Sequence, residues 1–395
     1  MKLHNTKVDH DLYYYILKSG EKRWMYRHKY YDRSGKRREK KKSGFKTEKA
    51  GLKALLEVKS ALLSGHTTQI EHDQMTVSQW LDIWYETNER SWGVKTKKNR
   101  RSLIDNHYDP LLGKYKLNEL SRNIYIRDYI NALYNMDLAP SSIQQYHNVF
   151  KVAINAAVDD EIISRNRIRK VVIEQDDKKD NFLNPDELNA FLSYVKSYGN
   201  ITNYTFVLLL AYSGLRSGEG AGLKWSSINF KEETVTVEYT RDGHGLRRPK
   251  TKNSNRTIKM DKIVMKQLKI YQKWCIETKF SYGKQLDKEN DFVFISHQGG
   301  EEVSHYYLGQ FFDKFYKKIE EDDIDLKRIT PHGLRHTHAT ILISLSIPPN
   351  AIAERLGNTI EMIYKIYAHF YKELETQSVT VFGEFLASGA DIGAK

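Results

Sequence analysis

Leu52, Leu55, Leu56, Leu62 and Leu63 recur at helical spacing through EKAGLKALLEVKSALL, residues 48–63. That spacing predicts one amphipathic helix. Before it, in LYYYILKSGEKRWMYRHKYYD (12–32), aromatic and basic residues alternate in short runs, as strands with one exposed face do. Turns at Ser19-Gly20 and Ser34-Gly35 divide the segment, and a basic third run ends near Phe45. Residues 1–65 therefore predict a small three-stranded sheet with one helix. The polar stretch GHTTQIEHDQ (65–74) reads as a linker.

Helical spacing resumes at Thr76, which with Gln79 forms a capping-box pattern ahead of Val77, Trp80, Leu81 and Trp84. A second strong helix starts at Ser141 or Ser142 and carries Ile143, Tyr146, Phe150, Ala153, Ile154 and Ala157. Residues 75–172 predict an all-helical domain of four or five helices, and DDKKD (176–180) a second linker. Asn184-Pro185 with Glu187 opens a third region. In it FVLLLAYSG (206–214) predicts a buried helix stopped by glycine. ETVTVEYT (233–240) and RTIKM (256–260) predict strands that bracket a Gly-rich basic connection, and helices resume near residue 261. The pattern is that of a multidomain chain, mostly α with small β elements. Its last domain is mixed α+β over 181–380, followed by a tail over 381–395.

Charge sharpens this picture. Residues 1–65 hold 18 Lys and Arg against 7 Asp and Glu, whereas the whole 395-residue chain has a net charge of +13. Most of the excess thus sits in the first module, which suggests an arm for a polyanion; a solvated basic face is the plainer reading. Arg37, Arg38, Lys40, Lys41 and Lys42 in the third strand run are candidate DNA contacts, as are Lys97, Lys98, Arg100 and Arg101 in KTKKNRR (95–101). The single cysteine, Cys275, allows no internal disulfide and fits a reducing compartment. No apolar run reaches bilayer length and no signal-peptide core is evident, so a cytoplasmic protein without membrane contact is expected.

Candidate chemistry concentrates in the third region. Arg216 follows the glycine that ends the buried helix, in SGLRSGE (213–219), where an ion pair with Glu219 is the structural alternative. In ITPHGLRHTHAT (329–340), Thr330 suits an N-cap and Pro331 the first helical position. His332 and Arg335 then share a face near a helix N-terminus, an arrangement suited to phosphate. Histidines paired with nearby carboxylates are the alternative. Lys250 and Lys252 lie in RRPKTKNSNRTI (247–258), where solvated charge is the simpler reading. The chain has no phosphate-binding loop of the nucleotide-hydrolase kind, no evident two-metal carboxylate cluster and no Cys/His cluster with zinc spacing, so no cofactor or metal is expected. Arg, His, Lys and Tyr without a metal favour covalent phosphoryl transfer through a side-chain oxygen.

Four segments in this order resemble the tyrosine recombinases of the phage and mobile-element integrase type. SGLRSGEGAGLKW (213–225) resembles the family's first arginine box, and PKT (249–251) with Arg256-Thr257-Ile258 its catalytic hairpin. ITPHGLRHTHAT resembles the His-x-x-Arg box, and RLGNTIEMIYKIYAH (355–369) the tyrosine box. The first module resembles the arm-binding domain of larger integrases, and 75–172 their core-binding domain. The resemblance implies that Arg216 and Arg335 clamp the scissile phosphate. It further implies that Lys250 protonates the leaving 5′ oxygen and that His332 serves in an acid/base relay. Glu219 and His336 would support them. Tyr367 precedes Ala-His as the family's nucleophile does, and Tyr364, one turn earlier, is expected to pack. Asn358 stands where the family usually has His or Trp. It is expected either to donate to the phosphate or to cap the tyrosine helix with Glu361.

The implied function is site-specific cleavage and rejoining of double-stranded DNA at core and arm sites, by a homotetramer. A host DNA-bending protein and a directionality factor are candidate accessory partners. A type IB-like topoisomerase and a non-catalytic DNA-binding regulator are the alternatives.

Overall fold

The computed structural model describes residues 2–32, 34–174, 180–243, 245–248, 255–367, 379–380, 382–384 and 386. The chain divides into two compact units, Met1–Lys178 and Lys179–Lys395. The first begins with strands β1 (His4–Asn5), β2 (Leu12–Ile16), β3 (Lys22–Tyr31) and β4 (Arg37–Phe45), an antiparallel sheet in sequence order. Three strands were expected. The fourth, β1, has only two residues, too few to show alternation. It is held by pairing with β2 at His4↔Tyr14 and Asn5↔Tyr13, and the His4 and Tyr14 rings stack 4.9 Å apart. Gly20 and Gly35 both take positive φ, as the two predicted turns require.

Helix α1 (Glu48–Leu63) crosses the sheet, capped by the Thr47 hydroxyl, and buries Leu55 with Leu12 and Tyr26. Lys59 from α1 clamps the turn before β2 by bonding both Asp9 and Asp11, at 2.9 and 3.1 Å. The segment expected to be a linker contains helix α2 (Thr67–Glu71). Its Ile70 is buried, and Lys40 reaches the Ile70 carbonyl and the Asp73 carboxylate. One buried side chain and a cation from the sheet order a stretch whose composition is polar.

The helical part of this unit starts at α3 (Val77–Asn88), where the Thr76/Gln79 capping box forms in both directions. Next come α4 (Val94–Leu103) and α5 (Asp109–Leu112), joined through a widened turn at Ile104–Tyr108. Helices α6 (Arg122–Tyr125) and α7 (Asn131–Asn135) are joined in the same way at Ile126–Ile130, and α8 (Pro140–Asp159) completes the set. The predicted apolar faces of α3 and α8 meet: Trp80 is buried and its indole donates to the Ala153 carbonyl at 2.9 Å. Most of the predicted second linker, 176–179, lies outside the described residues.

The second unit is built around α10 (Ile201–Ser213), which is apolar on every side and buried along its length. Before it runs α9 (Pro185–Tyr198), with the predicted Asn184/Glu187 capping box. After it come α11 (Ser217–Ala221), the strands β5 (Ile228–Asn229), β6 (Thr234–Val237), β7 (Thr240–Asp242), β8 (Gly245–Arg247) and β9 (Arg256–Lys259), and helix α12 (Lys262–Ser281). The two predicted strands pair as β6 and β9 in a three-stranded sheet of order β5-β6-β9, and β7 and β8 form a separate hairpin. Helices α13 (Tyr307–Glu321), α14 (Pro331–Ser344) and α15 (Pro349–Leu356) follow, and residues 360–367 are helical. Of the expected tail, only 382–384 and 386 are described.

Candidate active site

Two helix ends supply the arginines. α10 stops at Gly214 in the left-handed conformation, φ 66°. A Cβ there would lie 2.4 Å from Leu356 and 2.8 Å from His338, so glycine is required twice over. Arg216, two residues on, begins α11. Its backbone N–H and its guanidinium donate to the two oxygens of Glu219, at 3.0 and 2.7 Å. The ion pair weighed as a structural alternative thus exists, and it fixes the guanidinium in place.

α14 starts as expected. Thr330 accepts from the Gly333 N–H at 3.2 Å, and Asn181 braces the cap by accepting from the Thr330 N–H at 2.8 Å. Arg335 is 4% exposed and donates one Nη1–H to the Gly214 carbonyl at 2.8 Å. Its Nη2 is buried without a hydrogen-bond partner among the described residues. Burial, and then the charge of Arg216, push the Arg335 pKa down to about 10. A buried cation with an unused donor beside a second guanidinium is a site that an anion would complete.

Tyr367 reaches the same place from the last described helical turn. It is 5% exposed, and its hydroxyl lies 3.0 Å from His336 Nδ1. Burial raises the phenol to about 12, against the opposing pull of Arg335, so it keeps its proton at neutral pH. Burial also lowers His336. The imidazole is therefore neutral, and in the tautomer that carries its proton on Nε2 its Nδ1 accepts from the phenol. The His332 ring lies 4.8 Å from that of His336. Loss of solvent around that ring, with His336, Arg335 and Arg216 close by, takes its pKa down to about 4, although the residue keeps an exposed edge. Tyr364 was expected to pack. It is instead 49% exposed, because the helix turns Ile363 and Tyr367 inward and Tyr364 outward.

Asn358 is not the N-cap of the tyrosine helix. That helix begins at residue 360, and the Thr359 hydroxyl accepts from the Met362 N–H at 3.3 Å. Asn358 instead closes α15: its N–H donates to the Ala353 carbonyl at 2.9 Å, after Gly357 in the left-handed conformation. Its half-buried side chain lines a groove of about 890 Å³ beside Arg256, Lys259, Glu354 and Arg355. Lys250 lies outside the described residues.

Three residues carry much of the site's bonding with no role foreseen for them. Arg256 donates to Glu219 at 2.9 Å and to the Arg355 carbonyl at 2.7 Å. Arg355 donates to His338 Nε2 at 2.9 Å and to the carbonyls of Tyr212 and Lys259 at 2.9 and 3.1 Å. His338 Nδ1 in turn donates to the Ala211 carbonyl at 2.9 Å. Burial and Arg355 push its pKa down to about 4.

The candidate DNA contacts of the first unit differ among themselves. Arg37, Lys41 and Lys42 are exposed along β4, while Arg38 pairs with Asp32 and Lys40 with Asp73. On α4, Lys98 is exposed and Lys97 partly so. Arg100 stacks on Trp92, with 3.9 Å from guanidinium to ring centre. Arg101 is tied to Asp82 and Asp105.

The phage integrase family matches residues 181–373, the arm DNA-binding domain 12–62, and the N-terminal SAM-like domain of phage integrases 76–134. The chain therefore belongs to the tyrosine recombinase, or phage-type integrase, family, enzymes that cleave and rejoin DNA. It is 27% identical to a XerC-like tyrosine recombinase of Caldanaerobacter subterraneus over 67% of this chain and 71% of that one. It is also 27% identical to the transposase of transposon Tn916 from Enterococcus faecalis, over 58% of this chain, and spans 59% of that relative's length. Among solved structures, the Tn1549 transposon integrase in complex with a circular intermediate DNA aligns at a TM-score of 0.65 and 22% identity, over 77% of this chain and 99% of that one. A lambda integrase dimer bound to a core site aligns at 0.56 and 17%, over 92% and 95%. At these identities the two structures bear on the fold.

Proposed function

We propose that the chain is a site-specific recombinase that integrates or excises a phage or other mobile element through a 3′-phosphotyrosyl intermediate. The reading rests on one observation above all. The Tyr367 hydroxyl, 3.0 Å from an imidazole nitrogen, is buried in the same cluster as Arg335, whose Nη2 has no described partner. An incoming phosphate would supply that partner. Arg216 and Arg335 would hold its non-bridging oxygens and stabilise the charge that builds on them in the transition state. His336 would take the phenol proton as the tyrosine oxygen attacks, with His332 beside it to pass the proton onward. The new bond is Tyr O–P and the broken one P–O5′. Lys250 would give the leaving oxygen its proton. The phosphodiester's energy stays in the phosphotyrosine, so a second 5′-hydroxyl can reseal the strand without a nucleotide cofactor. In the same reading the N-terminal sheet holds arm sites, and a homotetramer brings two core sites together.

The test uses a duplex nicked just 3′ of the scissile phosphate, from which the freed fragment diffuses away. The chain should accumulate as a covalent protein–DNA adduct on that duplex. Recombination between two plasmid-borne sites should follow. An adduct with plasmid relaxation but no recombinant would mark a topoisomerase, and no adduct at all a DNA-binding regulator.

A further inference from the structure

We infer that Arg256 is a positioning residue of the strand-transfer reaction, acting through Glu219 on Arg216 and through the Arg355 carbonyl on the segment that carries Tyr367. The inference rests on the recombinase reading above and adds to it a residue whose described bonds run to Glu219 and to the Arg355 carbonyl.

Arg256 and Glu219 are both almost wholly buried, at 6% and 3% side-chain exposure. Both Glu219 oxygens are engaged by arginines: one accepts from the Arg216 guanidinium, and the other from the Arg216 N–H and from Arg256. Removing Arg256 would leave that carboxylate underpaired in the interior. Such a loss strains the remaining bonds, here those to Arg216. The same guanidinium, through Nε, holds the Arg355 carbonyl, one residue before the α15 terminus. Arg355 returns the contact by donating to the Lys259 carbonyl at the end of β9. Strand β9 and α15 are thus laced in both directions. β9 follows the connection that bears Lys250, and α15 leads into the tyrosine helix. One side chain therefore braces the supports of two groups, Arg216 and Tyr367, whose relative placement the reaction depends on. A planar fork serves a carboxylate and a carbonyl through two fixed nitrogens at once; a lysine ammonium on its flexible stem reaches one of them.

The test is adduct formation on the nicked duplex by Arg256→Lys and Arg256→Gln, with DNA binding and thermal unfolding measured beside it. Both variants should bind DNA as the parent does and form adduct about 10²-fold more slowly, the scale of a misplacement of about 1 Å. The pH profile separates positioning from mere folding. Burial would raise the Glu219 carboxyl, but Arg256 and Arg216 outweigh it and hold it below its ordinary value. Arg335 is the other cation coupled to it, and His332, neutral above about pH 4, is the other titrating group beside it. Without Arg256 that carboxyl titrates higher, so activity should fail at a higher pH on the acid side than in the parent. In a cycle with Glu219→Gln, the double variant should be no slower than the slower single.

Three results overturn the inference: parental adduct rates in a folded variant, a loss that tracks stability with an unmoved pH profile, or failure of both variants to fold. If the parent itself forms no adduct, the recombinase reading falls first.

Discussion

Arginine and lysine do different work in the two units. In the N-terminal sheet they stand in solvent along β4, and where they pair, as Arg38 with Asp32 or Arg27 with Glu39, the arginine side chain itself stays exposed, at 49% and 43%. Such pairs remain open to water and are screened by salt. Around Glu219, itself 3% exposed, Arg216 and the buried Arg256 share one carboxylate, and the buried Arg335 nearby has a donor without a partner among the described residues. Exposed charge can gather a polyanion from many directions at little structural cost. Buried charge can meet only one group in one geometry, and each member depends on the others. The first arrangement suits affinity and the second chemistry.

The largest effect that would test this contrast is at the nucleophile. Tyr367→Phe should leave DNA binding intact and abolish the adduct, whereas Tyr364→Phe, at an exposed position, should keep most activity; the reverse result would break the assignment. Deleting residues 1–65 should weaken DNA binding and flatten its dependence on salt, with about 0.9 lost from the log–log slope for each phosphate contact removed. Cleavage of a short core-site duplex should survive, and an unchanged slope would mean that the sheet does not touch DNA.

A smaller effect concerns acid stability. Folded His338 has a pKa near 4, below the ordinary value of about 6.5. As pH falls through that window the unfolded chain takes up the proton first, so stability drops, by roughly 3 kcal/mol once pH reaches the folded value. Urea titrations of the parent and of His338→Gln should show a flatter pH slope in the variant. The smallest effect is at the tyrosine helix. Thr359→Ala should cost about 1 kcal/mol as a lost cap, and Asn358→Ala distinctly less. Equal losses would return the cap to Asn358.

Local signals in the chain were readable because the residues that make them are neighbours. The Thr76/Gln79 and Asn184/Glu187 boxes, the Thr330 cap with Pro331, and the glycine stop at 214 all form as their spacing implies. The proposed site residues Arg216, His332, Arg335 and Tyr367 stood out through the boxes that contain them. Arg256, Arg355 and His338 were not, because their partners lie far along the chain and several are backbone carbonyls, which no residue type announces. Asn358 misled for a related reason. Asn with Glu three residues on is a sound cap pattern, but Gly357 had already committed the Asn358 N–H to closing the preceding helix. Strand β1 and helix α2 escaped notice because each is too short to show a period.

The joint at Gly357 also sets an angular index. Two backbone bonds, Gly357 to Glu354 and Asn358 to Ala353, fasten the end of α15, and the next helix starts at once from the Thr359 cap. No slack loop lies between a fixed pivot and Tyr367, about two helical turns later. The tyrosine's bearing is therefore counted in residues from the pivot, like a tooth on a wheel. One residue added or removed between them would swing the hydroxyl by about 100° around the helix axis. It would then face away from His336 while every side chain of the site was still present.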